Sequence, residues 1–127
     1  MAKQGELIAP IGVGGLFGGD DEDEDAGFQQ QFEVQRITIA DRTYDIRQFS
    51  WHQANANQVW PGAIRLGEFM ITRKDLYSSG RILELGAATG ALAMSMTVNG
   101  FDVVTSDYDD DGNVAENIKF NFDANSE

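Results

Sequence analysis

Apolar residues along this chain recur with two different periods. Phe32, Val34, Ile37 and Ile39 lie in a strand-like run, with a slip in register at Gln35–Arg36, and Tyr44 and Ile46 continue the alternation. Ala40 to Arg42 between them reads as a turn, so the pair is expected to form a β-hairpin. The polar stretch from Ser50 to Gln58 interrupts the pattern. From Trp60 the period becomes helical: Trp60, Ile64, Gly67 and Ile71 share one face, widened by Ala63 and Met70. Arg65, Glu68, Thr72 and Asp75 form the opposite, polar face. Pro61 suits the first turn of this helix, where its missing N–H is not needed. Ser78 to Gly80 should end it.

The segment RILELG, Arg81 to Gly86, is short and nearly continuous in apolar character, as expected for a strand covered on both faces. A helix pattern follows, closed by Asn99–Gly100, a common C-terminal cap. DVVTS, Asp102 to Ser106, reads as a second strand, and Val114, Ile118 and Phe122 recur at every fourth position of a further helix. Strand, helix, strand, helix implies parallel strands joined by right-handed crossovers, hence an α/β fold. Two parallel strands make a poor sheet alone. The pattern is therefore expected to be the first half of a larger doubly wound domain, or a shortened product.

Composition adjusts this picture at the N-terminus and in the choice of partners. The chain has 127 residues, of which 42% are hydrophobic, with eight Phe and two Trp, so a core can form. Its formal charge is −12, and six of its acids stand together from Asp20 to Asp25. Residues 1–27 mix these acids with glycine and are expected to be a disordered tail, because repulsion and backbone entropy both oppose ordering. Residues 28–56 then hold the hairpin and a linker, and residues 57–127 the α/β segment. The negative charge argues against nucleic acid and anionic membranes as partners, and favours a basic protein. There is no cysteine, which excludes disulfides, thiol catalysis and zinc–thiolate sites. No apolar run approaches the ~18 residues of a membrane helix, and the N-terminus lacks a signal-peptide core. The expected setting is the cytoplasm, with the nucleus as the alternative.

Candidate chemistry lies in two stretches. In LELGAATGALA the strand turns into a helix, and Gly86, Ala88 and Gly90 occupy the positions of a G-x-G-x-G motif. Small residues there let a ligand approach the backbone, and the helix start offers free N–H groups. Glu84, at the strand end, would repel a pyrophosphate but suits a ligand carrying a cationic amine. S-adenosylmethionine has an ammonium, a sulfonium and no phosphate. In TSDYDDDGNVAEN, Asp107 follows Gly86 by 21 residues and ends the next strand. That spacing suits a carboxylate accepting both ribose hydroxyls. Asp107, Asp109, Asp111 and Gly112 also spell the opening of a calcium loop. That loop needs a bidentate Glu at its twelfth position, where this chain has Ile118. Asp109 to Asp111 then read as a solvated acidic turn. His52, in the polar stretch, reads as a surface residue, and Met94 and Met96 as core.

VWPGAIRLGEFM, ILELGAATGALA, VVTSDYDD and NVAENIKFN, in this order, resemble the seven-β-strand methyltransferases of the methyltransferase family 16 group, which are protein lysine methyltransferases. The resemblance covers about residues 32 to 125 and implies a Rossmann-like class I methyltransferase fold. It implies S-adenosyl-L-methionine as cofactor, with Trp60 packing at it. Gly86, Ala87 and Ala88 would hold its methionine end, flanked by Glu84 and Gly90, and Asp107 its ribose, with Tyr108 following. Asn117 and Asn121 match a pair of asparagines in the family's helix and are assigned no ligand. The implied reaction is methyl transfer to a neutral lysine amine of a protein. Two departures stand out. Ala88 replaces the usual Gly, and the later strands that carry the adenine contacts and the acidic–aromatic motif facing the lysine have no match. The catalytic residues are therefore not identifiable. The alternative is a non-catalytic cofactor-binding or interaction module, and a calcium-binding module is a third reading.

Overall fold

The computed structural model describes residues 30–126 and, of the preceding segment, only the backbone of Glu6–Leu7. Strand β1 (Glu6–Leu7) is followed by β2 (Phe32–Ile39), β3 (Arg42–Phe49), α1 (Pro61–Thr72), α2 (Lys74–Tyr77), β4 (Arg81–Leu85), α3 (Ala91–Val98), β5 (Asp102–Ser106) and α4 (Asn113–Asn125). The expected tail otherwise falls outside the described residues.

β2 and β3 form the expected hairpin, paired without interruption from Phe32↔Phe49 to Ile39↔Arg42. The slip expected at Gln35–Arg36 is absent. The parity of the apolar residues changes instead because only the second half of β2 is buried, while Phe32 and Val34 stand on the opposite, exposed face. Ile37 and Ile39 enter the core, whereas Phe32 packs its ring against Phe49 at 5.3 Å between centroids and remains half exposed. The two-residue turn Ala40–Asp41 has positive φ at both positions (47° and 67°), the primed geometry that matches the twist of a hairpin.

β4 and β5 pair in parallel, Arg81↔Asp102 to Leu85↔Ser106. Glu6–Leu7 adds a short parallel strand on the other edge of β5, giving the order β1–β5–β4. The two residues of β1 thus depart from the expectation of a disordered tail. They take up backbone groups that an open β5 edge would leave unpaired. Coverage of the sheet differs from expectation too. Ile82 and Glu84 face α3, but Leu83 and Leu85 are 54% and 74% exposed, so among the described residues β4 is covered on one face only. Apolar character alone could not distinguish a strand with two covered faces from one whose second cover lies elsewhere.

α3 is buried from Ala91 to Met96 and ends as its sequence suggests. Gly100 N–H donates to the Thr97 carbonyl and Phe101 N–H to the Met96 carbonyl, with Gly100 at φ 85°. This is a Schellman cap, and glycine is needed at its left-handed position. The expected helix from Trp60 ends at Thr72 and resumes as the short α2. Gly67 lets α1 approach closely, since a Cβ there would lie 2.9 Å from Ile39 and 3.3 Å from Leu92. One apolar cluster joins the hairpin to the α/β segment: Ile37, Ile39, Tyr44 and Ile46 pack with Val59, Ala91 and Met94. Phe122 packs against this cluster and against two more, one around Phe49, Val114 and Ile118 and one around Leu92, Phe101 and Val103. Met94 and Met96 are core residues, as expected.

Candidate functional site: a cleft at the end of β4

β4 ends at Leu85, and residues 86–90 turn the chain into α3. The turn needs three left-handed residues, Gly86 (φ 69°), Ala88 (φ 51°) and Gly90 (φ 76°). Glycine adopts this region without penalty, while Ala pays of the order of 1–2 kcal/mol. Ala88 is therefore a strained residue held by its surroundings. Its N–H donates to the Asp107 carboxylate, whose other oxygen accepts from Tyr108 N–H at 2.6 Å. Asp107 thus fastens the end of β5 to the middle of the turn.

The turn borders a cleft of about 270 Å³, lined by Gln58, Val59, Trp60, Ala63, Glu84, residues 86–89, Ala91 and Leu92. Its size approaches the lower end of small-molecule sites, roughly 300 Å³. Trp60, at the start of α1, forms one wall and donates its indole N–H to the Asn55 carbonyl at 3.3 Å. Gly86 meets open space: a Cβ added there would have no atom within 4 Å.

Glu84 supplies the charge chemistry. Its Oε2 accepts from Ala93 N–H and from Thr105 Oγ1, each at 3.2 Å. Burial pushes its pKa up to about 7, and the nearby negative charge of Asp107 adds to the rise, against the pull of the two hydrogen bonds. A carboxyl poised in this way would gain most from a cationic ligand group.

Of the residues singled out in the sequence, Trp60, Glu84, Gly86, Ala87 and Ala88 line the cleft. Gly90, Asp107 and Tyr108 do not. Gly90 serves packing, since a Cβ there would stand 2.8 Å from Ile118 Cγ2. Asp107 reaches the site through the Ala88 amide, and Tyr108 is 59% exposed. Gln58, Val59 and Thr89 also line the cleft and were not singled out. Val59 and Gln58 end a polar loop with no periodicity, so their position depends on where the hairpin and α1 pack.

The acidic turn after β5 is exposed at Asp110 and Asp111, as expected, but not at Asp109. Asp109 is buried and caps α4, accepting from Gly112 N–H (2.9 Å), Val114 N–H (3.3 Å) and Ala115 N–H (2.8 Å). Asp111 accepts from Asn113 N–H, and this bond holds its carboxyl below the usual range. The carboxylates of Asp107, Asp109 and Asp111 are thus each engaged with different backbone amides. His52 is half-buried rather than a surface residue, with its ring stacked on Phe49 at 5.3 Å. Among the described residues no helix is long and apolar enough to cross a membrane.

Comparison with known proteins agrees with this architecture. A family model described as lysine methyltransferase matches residues 29–127. Methyltransferase-like protein 22 of Mus musculus is 43% identical over 53 residues, a match covering 38% of this chain and 14% of that protein. The chain therefore spans a small part of that relative's length. The family match runs over the hairpin, the cleft and α4 together, and by it the chain belongs to the lysine methyltransferase family.

Proposed function

We propose that the cleft at the end of β4 binds S-adenosyl-L-methionine, and that the chain is the cofactor-binding part of a class I, Rossmann-like methyltransferase acting on protein lysine. The observation that carries this reading is the Glu84 carboxyl beside a turn of small residues in a cleft with Trp60 as one wall. A phosphate ligand would be repelled there, whereas an amino-acid ammonium would be held. Gly86, Ala87 and Ala88 leave room for the methionine end against the backbone, and the indole of Trp60 offers an apolar, polarisable wall for a sulfonium. Asp107 keeps accepting capacity on both carboxylate oxygens, since each has a second lone pair for a ribose hydroxyl. Bound in this way, the cofactor would supply an activated methyl group. The chain's own residues hold it, exclude water around its charged end and keep the turn in shape. The net charge of −12 favours a basic protein target over nucleic acid or an anionic membrane.

Catalysis needs more than this cleft. The uncovered outer face of β4, with Leu83 and Leu85 exposed, favours a second reading in which the chain binds cofactor but turns over only when further structure covers that face. Calorimetric titration with S-adenosylhomocysteine tests the binding reading. One-to-one binding by the wild type, weakened at least ~100-fold in Asp107→Ala through loss of charge-assisted bonds, supports it. A folded wild-type chain that takes up no ligand overturns it. Methyl transfer to Lys-rich peptides then separates the two readings.

A further inference from the structure

α4 carries asparagine at 117, 121 and 125, four residues apart and therefore on one side of the helix. Four helical residues rise about 6 Å, close to the roughly 6.6–6.8 Å spanned by two residues of a strand. Successive asparagines can therefore address alternate residues along a strand edge. β3 presents such an edge. In an antiparallel pair, alternate residues turn their N–H and C=O away from the partner strand, and here these are Asp45 and Arg47.

Asn125 accepts from Asp45 N–H at 3.2 Å and donates to the Asp45 carbonyl at 3.1 Å. Asn121 does the same for Arg47, accepting from its N–H at 2.8 Å and donating to its carbonyl at 2.8 Å. Each amide closes the two-bond ring that a neighbouring strand residue would close. Asn117 adds a third rung, donating to the Arg47 carbonyl at 3.0 Å and accepting from Arg47 Nε at 2.7 Å. The Arg47 guanidinium lies over the rings of Phe32 and Phe120, at 4.2 and 3.8 Å.

Asn121 differs from the other rungs in one bond. Its second Nδ2 hydrogen goes to the Thr89 carbonyl at 2.9 Å. Asn121 is fully buried, and Thr89 is 1% exposed, lies between the left-handed residues Ala88 and Gly90, and lines the cleft. The turn is therefore gripped at two successive residues: by Asp107 at the Ala88 N–H and by Asn121 at the Thr89 carbonyl. A strained left-handed Ala persists only where the surroundings over-determine it.

We propose that Asn121 is a positioning residue for the cofactor turn, coupling the β2–β3 hairpin to the cleft through one buried amide. The proposal rests on the cofactor reading above. It explains why asparagine is required: both donors and the acceptor are used, and aspartate would set a carboxylate against two carbonyls.

Amide hydrogen exchange and calorimetry with S-adenosylhomocysteine on the full chain test it. Asn125→Ala should speed exchange at Asp45 and leave ligand affinity within about twofold. Asn121→Ala should speed exchange at Arg47 and across residues 86–90, and weaken binding about tenfold, the effect of one buried hydrogen bond. In the wild type, ligand should slow exchange at the Arg47 amide, because coupling between two sites is reciprocal. That last measurement decides the matter if Asn121→Ala fails to fold, and an Arg47 amide indifferent to ligand overturns the proposal. Equal exchange across residues 86–90 in the two variants overturns it as well. A wild type that takes up no ligand refutes the cofactor reading, while the exchange comparison still decides whether Asn121 holds the turn.

Discussion

β4 and β5 each end in a turn that starts a helix from a left-handed glycine, yet the two turns do different work. Gly90 precedes α3 at φ 76° and Gly112 precedes α4 at φ 83°. After β5, the turn spends its carboxylates on its own helix. Asp109 takes three amides and Asp111 a fourth, so the start of α4 is closed by residues of the turn itself. After β4, the turn is built from small residues and is held from outside, by Asp107 on β5's end and by Asn121 on α4. Its carboxyl, Glu84, sits back on the strand, bound to Ala93 N–H and facing the cleft. A turn that caps itself is a structural joint. One that borrows its restraints keeps its inner surface free for a ligand.

The glycines offer the sharpest way to break this comparison. Gly90→Ala should cost about 3 kcal/mol of stability, combining left-handed strain with overpacking, because its Cβ would meet Ile118 at 2.8 Å. Gly112→Ala, with nothing within 4 Å, should cost only the strain, about 1 kcal/mol. Chemical denaturation of both variants checks the pair, and equal losses would refute the packing role of Gly90. Between these values, Asp109→Ala should destabilise by about 2 kcal/mol through loss of the α4 cap, while S-adenosylhomocysteine affinity of the folded fraction stays within about twofold. A large loss of affinity there would show that the second turn is more than a joint.

Glu84 sharpens the comparison through pH. In the unfolded chain its carboxyl ionises near 4.5, whereas in the folded chain burial retains the proton to about 7. Between these values the unfolded state binds fewer protons, so stability falls as pH rises and then levels off. The loss amounts to no more than roughly 3 kcal/mol. Glu84→Gln should flatten that slope in a pH series of melting curves. A ligand ammonium is held best by the ionised carboxylate, so wild-type binding of S-adenosylhomocysteine, through its ammonium, should tighten from about pH 6 to about pH 8, and in Glu84→Gln it should not. The smallest effect belongs to Ala88. Ala88→Gly relieves strain at φ 51° and should stabilise by up to about 1 kcal/mol, read in the same denaturation series.

Much of this was legible in the amino-acid sequence. Alternation marked the hairpin, and helical spacing marked α1 and α4, because periodicity follows directly from which face an element buries. Asn99–Gly100 marked the end of α3, because only a residue tolerant of positive φ completes that cap. Glu84, Gly86, Ala88 and Gly90 stood out as a candidate turn on chemical grounds: small residues, a strand-to-helix change and a carboxylate in place of a phosphate site; all but Gly90 line the cleft. Other features depended on residues far apart in the chain. The exposure of Leu83 and Leu85 depended on which helices pack on the sheet and which do not. Above all, the role of Asn121 was invisible in its own neighbourhood. Its three bonds reach Arg47 and Thr89, 74 and 32 residues away. Local sequence determines which backbone conformations are cheap and which faces are apolar. Tertiary structure decided which distant carbonyls an asparagine would satisfy, since a buried polar group takes its partners from whatever packing brings beside it.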